Sequence, residues 1–178
     1  VQTDVHGNVF GVLNAKAPVR VMLAGHVDEI GLMITHIDDK GFIYFADVGG
    51  WDAPVALGQR VSIRNRRGDV RGVIGRKAVH QIPPEERNKG IKLDELWIDI
   101  GAKDRKDALQ AVEIGDSVVV VGEFMELRNG FVAGRAFDDR VGAWAVTETL
   151  GALRGKKLNV AVHAVATVQE EVGLRGAI

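Results

Sequence analysis

Residues 158 to 168, LNVAVHAVATV, form the most hydrophobic stretch of this chain and constrain its fold more than any other segment. Apolar at nearly every position rather than at alternate ones, the run fits a central strand covered on both faces, as in an α/β sheet. It leads directly into Gln169, Glu170 and Glu171. Two carboxylates beside an apolar core are costly unless a proton, a basic partner or a cation neutralises them. Adjacent acids also point in different directions, so one can bind a cation while its neighbour moves protons.

The segment before this strand has a different period. DRVGAWAVTETLGAL, 139 to 153, spaces Val141, Trp144, Ala145, Val146, Leu150 and Leu153 as on a helix, and Gly155 ends it. A strand, a helix and a strand with acidic residues at the strand ends predict α/β architecture, in which ligands gather at strand C-termini. The first third reads otherwise, as short strands over 8–13, 19–24, 31–36 and 42–46 separated by Gly, Asp and Pro. The strand pattern continues from Pro54 to about Gly130 through RVSIR, GDVRGVIG, LWIDIGA and GDSVVVVGEF. Within it, 103–112 predicts one short helix opened by an Asp cap, and the polar segment 80–95, HQIPPEERNKGIKLDE, predicts a surface loop. This middle portion is a β-rich module, a meander or barrel.

Composition narrows the chemistry. With 23 basic and 24 acidic residues the net charge is -1, which gives no global field favouring nucleic acid or an anionic membrane. The absence of cysteine leaves only His, Asp and Glu to hold a metal. No apolar run approaches the ~20 residues of a membrane span, and a cytosolic protein is the expectation. The basic run RNRRGDVRGVIGRK, 64 to 77, has six Arg or Lys residues without interleaved aromatics, and reads as a solvated strand pair rather than a nucleic-acid surface.

Three acid-bearing points follow apolar strands. In VMLAGHVDEIG, 21 to 31, His26 and Asp28 stand two residues apart and share a face of an extended segment, so Asp28 can orient a metal-binding imidazole; a solvated strand end is the plain alternative. In GRAFDDRVG, 134 to 142, Asp138 and Asp139 could bind a metal or cap the following helix. The third point is Glu170 with Glu171. Together they make a site of imidazole and hard oxygen donors without thiolate, suited to zinc, cobalt or manganese in hydrolysis. His6, His36, His80 and His163 are not expected to be ligands, and Trp51 is expected to anchor packing in the module.

The phrases AGHVDEIGLMI, GGW, GQRV, LWIDIGAKD, EIGD, FDDRVG and VATVQEEVGLRGA, in that order across nearly the whole chain, resemble the tetrahedral aminopeptidases, metallopeptidase family M42. Members are called glutamyl, deblocking or leucyl aminopeptidases, and some endoglucanases. The resemblance implies an enzyme that hydrolyses N-terminal residues from peptides, using two divalent metal ions per subunit, zinc or cobalt with manganese also compatible. It implies a water activated by both metals with Glu170 as general base. It further implies His26 and Glu171 as ligands of one metal each, Asp138, the first Asp of its pair, as the bridging carboxylate, and Asp28 as the group that orients His26.

For the fold, the resemblance implies an α/β metallopeptidase-type catalytic domain, present in part as 1–32 and 130–178. A β-rich PDZ-like or barrel dimerisation module, 33–129, would interrupt it. Dimers of such chains assemble into homo-oligomeric tetrahedral dodecamers. The family's remaining Asp and His ligands are expected beyond residue 178, and the first part of the catalytic domain ahead of residue 1, so these residues alone are expected to be inactive. A competing reading is a catalytically silent homologue or fragment that serves assembly through the module. A glycosidase is weaker, because paired acids ~5 to 9.5 Å apart across a sugar would leave His26 without a role.

Overall fold

The structure, a computed structural model, describes residues 1–87 and 89–178, and of Glu86 the backbone alone. Along the chain, strands β1 (Gln2–Thr3), β2 (Val9–Leu13) and β3 (Arg20–His26) come first. Strands β4 (Gly31–Ile37) and β5 (Ile43–Val48), the short helix α1 (Ala53–Ala56), and strands β6 (Arg60–Asn65), β7 (Gly68–Arg76) and β8 (Leu96–Asp99) follow. Helix α2 (Arg105–Ala111) and strand β9 (Ser117–Val120) precede strands β10 (Met125–Glu126) and β11 (Val132–Ala133), helix α3 (Phe137–Leu153) and strand β12 (Ala161–Thr167). Two compact units result: Val1–Glu29 with Met125–Ile178, and Ile30–Phe124. The corresponding borders read from the sequence stand at 32/33 and 129/130.

The first unit is an α/β layer. Its sheet runs in the order β1-β2-β12-β3, with β12 parallel to β3 and antiparallel to β2. The apolar run is thus an inner strand, and Ala161, Val162, Ala164, Val165 and Thr167 are buried along it. The parallel register pairs Thr167 with His26, so both strands end on one line and release their acidic segments side by side.

Helix α3 lies on β3 and β12. Its contact face differs from the large-residue stripe suggested by the sequence: Trp144 is 65% exposed and Val141 50% exposed, and Ala143 is its buried residue. The approach is too close for bulk. A Cβ on Gly25 would lie 2.4 Å from the Ala143 backbone nitrogen and 2.5 Å from the Gly142 carbonyl carbon, so a glycine in β3 is what lets the helix seat. The hairpin β10–β11, not anticipated from the sequence, leads into this helix.

The second unit is a closed barrel, β4-β5-β8-β7-β6-β9. Closure pairs every strand edge and so removes the exposed edges of a short-stranded sheet. Inward-facing Leu32, Ile34, Ile37, Ile43, Phe45, Val61, Ile63, Ile74, Leu96, Ile98 and Val118 fill it. The in-out alternation of β4 switches phase after Ile34, where a register shift against β5 re-aims Ile37 inward. Helix α2 adds Ala108 and Val112 to the core, and Asp104 caps it as expected, accepting from Asp107 N at 2.8 Å. Trp51 packs on this core and donates from Nε1 to Gly31 O at 2.8 Å.

The basic run forms the β6–β7 hairpin, where Arg64 pairs with Asp69, and Arg67 pairs with Glu113 and donates to Gln110 O. The segment expected as a surface loop carries short 3-10 turns at Val79–Gln81, Pro84–Glu86 and Leu93–Glu95; its Asn88 lies outside the described residues.

Candidate metal centre

His26 is the last residue of β3, and its side chain is buried. Ring Nδ1 lies 3.1 Å from the Asp28 backbone carbonyl oxygen, which can only accept, so Nδ1 carries the hydrogen. Nε2 then faces the acids, Asp138 Oδ1 at 3.2 Å and Glu170 Oε2 at 3.7 Å, an approach of nitrogen and oxygen acceptors that requires a proton or a cation between them. Ligand atoms of His26, Glu170 and Glu171 lie within 4.8 Å of one another.

Each acid is placed by a distinct local device. The Asp28 carboxylate accepts from the backbone N–H groups of Glu170 at 3.2 Å and Glu171 at 3.1 Å. It thereby ties the turn after β12 to the end of β3, while the Asp28 carbonyl holds the imidazole. The buried Asn8 supports the same turn: its side chain accepts from Val168 N at 2.9 Å and donates to Gly176 O at 2.6 Å. Sequence reasoning gave Asn8 no role, because a single Asn at a strand start carries no signal.

The two aspartates at the start of α3 do different things. Asp139 accepts from Gly142 N at 2.9 Å and from His26 N at 3.3 Å, so it caps the helix and pins it to β3. Asp138 has a side chain 91% exposed and turned to His26 Nε2. The peptide between them is cis. Ala136 and Gln169, which precede the two acidic pairs, have φ of 60° and 58°, a left-handed conformation uncommon for residues with a Cβ. Glu29, Arg135 and Arg140 also frame the site. The Glu29 carboxylate accepts from both guanidinium groups, and the sequence reading had assigned these three residues nothing.

The electrostatics follow from four carboxylates converging on one imidazole. Burial disfavours a charged His26 ring, but the Asp28 carbonyl, the Asp138 carboxylate and the charges of Glu170 and Asp28 outweigh it, so the pKa lies above the usual 6.5. Burial, then the neighbouring charge of Glu170, raises Glu171 above its usual 4.5; Asp138 and Asp28 add to this and His26 opposes it. Both shifts describe surplus negative charge that a proton or a cation would relieve. The imidazole nitrogen and carboxylate oxygens match the donor preference of zinc, cobalt or manganese, and the residues present therefore fit a divalent cation. Among the described residues, no helix is long and apolar enough to cross a membrane.

Comparison with known proteins agrees in sequence and in fold. A family model described as M42 glutamyl aminopeptidase matches residues 7–178. The lysyl aminopeptidase of Pyrococcus furiosus is 33% identical over 183 residues, covering 99% of this chain and 51% of that protein. The crystal structure of a TET aminopeptidase from a marine sediment archaeon of the Thaumarchaeota superposes with a TM-score of 0.93 at 39% identity, over 99% of this chain and 51% of its own. The TET1 peptidase of Pyrococcus horikoshii, described as assembling into a tetrahedron or a large octahedral shell, gives 0.85 at 37% identity, over 99% and 53%. The chain spans about half the length of the curated relatives it matches.

Proposed function

Because the chain belongs to the M42 glutamyl aminopeptidase family, we propose that the protein is a metal-dependent aminopeptidase that removes N-terminal residues from peptides in the cytosol. The observation that carries this reading is the convergence of Asp138 Oδ1 and Glu170 Oε2 on His26 Nε2, at 3.2 and 3.7 Å, from three segments distant in sequence. His26, Asp138 and Glu171 would hold the divalent ions. The exposed Asp138 carboxylate, turned to His26 Nε2, supports its choice over Asp139, whose oxygens are engaged by Gly142 N and His26 N. When bound, such ions supply Lewis acidity, acidifying a water and polarising a carbonyl oxygen.

Glu170 is the general base in this reading. Its carboxylate takes the proton of the attacking water as the new C–O bond forms, then delivers a proton to the departing amine nitrogen as the C–N bond breaks. The hydrogen bond that the Glu170 backbone N–H donates to Asp28 Oδ1 keeps this residue in register with His26. The barrel unit, Ile30–Phe124, is the inserted dimerisation module in this reading, and the chain assembles into homo-oligomeric shells like those described for the Pyrococcus horikoshii relative.

The test uses the full-length protein and a panel of aminoacyl chromogenic substrates. Glu170→Gln should retain its metal by elemental analysis while kcat falls by about 10²- to 10⁴-fold, the range of a positioned general base. Near-normal turnover would remove Glu170 from the role.

A further inference from the structure

We infer that Glu29 is a positioning residue for this centre: shared between Arg135 and Arg140, its carboxylate fastens the segment that carries His26 to the segment that carries Asp138. The inference rests on the metallo-aminopeptidase reading.

The geometry is a clamp. Glu29 Oε1 accepts from Arg135 Nη2 at 3.1 Å and from Arg140 Nη2 at 3.2 Å. Arg140 also donates from Nε to Val27 O at 3.0 Å. Arg135 and Arg140 stand on either side of the acidic pair in the chain, and Val27 and Glu29 follow His26, so both flanks of Asp138 are tied to the residues just after the imidazole. The Glu29 side chain is only 14% exposed; charge-assisted bonds are stronger than neutral ones, and a low local dielectric strengthens them further.

The clamp bears on the cation through spacing. Asp138 and His26 can serve one cation only if the strand end and the start of the helix keep their spacing, and nothing covalent links the two segments locally. Glu29 offers both guanidinium groups one carboxylate oxygen and so links the two segments. Removing its charge loosens that spacing, which weakens a divalent ion held by both segments.

The experiment compares full-length wild type with Glu29→Gln, which keeps the shape and removes the charge, and with Glu29→Asp, which keeps the charge. Zinc affinity is measured by competition with a chromophoric chelator, alongside kcat and KM at saturating zinc and thermal stability in EDTA. Glu29→Gln should bind zinc about 10- to 100-fold more weakly, as for loss of a group that orients a ligand. Its kcat should fall with little change in KM, and Glu29→Asp should recover most of the affinity. A folded Glu29→Gln with unchanged zinc affinity overturns the inference and leaves the aminopeptidase reading standing. Wild type that binds no divalent ion overturns both. Should Glu29→Gln fail to fold, Arg140→Gln, which breaks the clamp at an exposed residue, decides by the same affinity criterion.

Discussion

His26 sits where one proton and one cation compete for the same nitrogen. Its raised pKa and that of Glu171 have a common sign: the metal-free native state holds more protons than the unfolded chain. By linkage, stability must then fall as pH rises. The His26 contribution is fully present below 6.5, its usual value, and is lost as pH rises through the elevated native value. Glu171 behaves in the same way from 4.5 upward. Thermal melts in EDTA between about pH 5 and 8 should therefore show a contribution from this site that declines with pH. In saturating zinc the sign should reverse, because the ion displaces the protons and binds more tightly as pH rises. An NMR titration of the metal-free protein should place the His26 imidazole above 6.5.

At the scale of elements, the seat of α3 on β3 determines the spacing of the centre. Gly25 allows the approach, Gly142 leaves room for the Asp139 carboxylate, and Asp139 locks the seat by accepting from the backbone nitrogens of His26 and Gly142. Gly25→Ala places a methyl group against the backbone of Gly142 and Ala143, which cannot yield as a side chain would. It should destabilise the protein by about 1–3 kcal/mol, the usual cost of overpacking, and lower zinc affinity as well. The barrel provides the control. Ile98→Ala empties a fully buried position and should cost about 2–5 kcal/mol in urea unfolding, with zinc affinity of the folded protein unchanged.

For the molecule as a whole, the cation is expected to act as part of the fold of the sheet unit. A ligand bound only by the native state adds about 2.7 kcal/mol at a hundredfold excess over its Kd. Hydrogen exchange should report this by location. Zinc should slow exchange of the Glu170 and Glu171 amides, which donate to Asp28, and of the end of β12, and leave the barrel strands unaffected. Equal protection of both units would argue against a centre built on His26, Asp138 and Glu171.

How much of this was legible in the chain can be judged at particular residues. The apolar run before Glu170 announced an inner strand, and the DRKDALQAV segment announced a capped helix, because periodicity and capping are local properties. Helix α3 was legible as a helix, but its contact face was not: exposed Trp144 and buried Ala143 depend on how closely the sheet lets the backbone approach, which Gly25 decides from more than a hundred residues away. The donor types of the centre, an imidazole and carboxylates without thiolate, were likewise determined by the sequence alone. That Asp138 faces His26 while Asp139 caps the helix, that Asp28 accepts from the amides of Glu170 and Glu171, and that Glu29 gathers Arg135 and Arg140 were decided only by the tertiary structure. Side-chain direction at a strand end or helix start follows from register and packing between distant segments, and no local pattern encodes either.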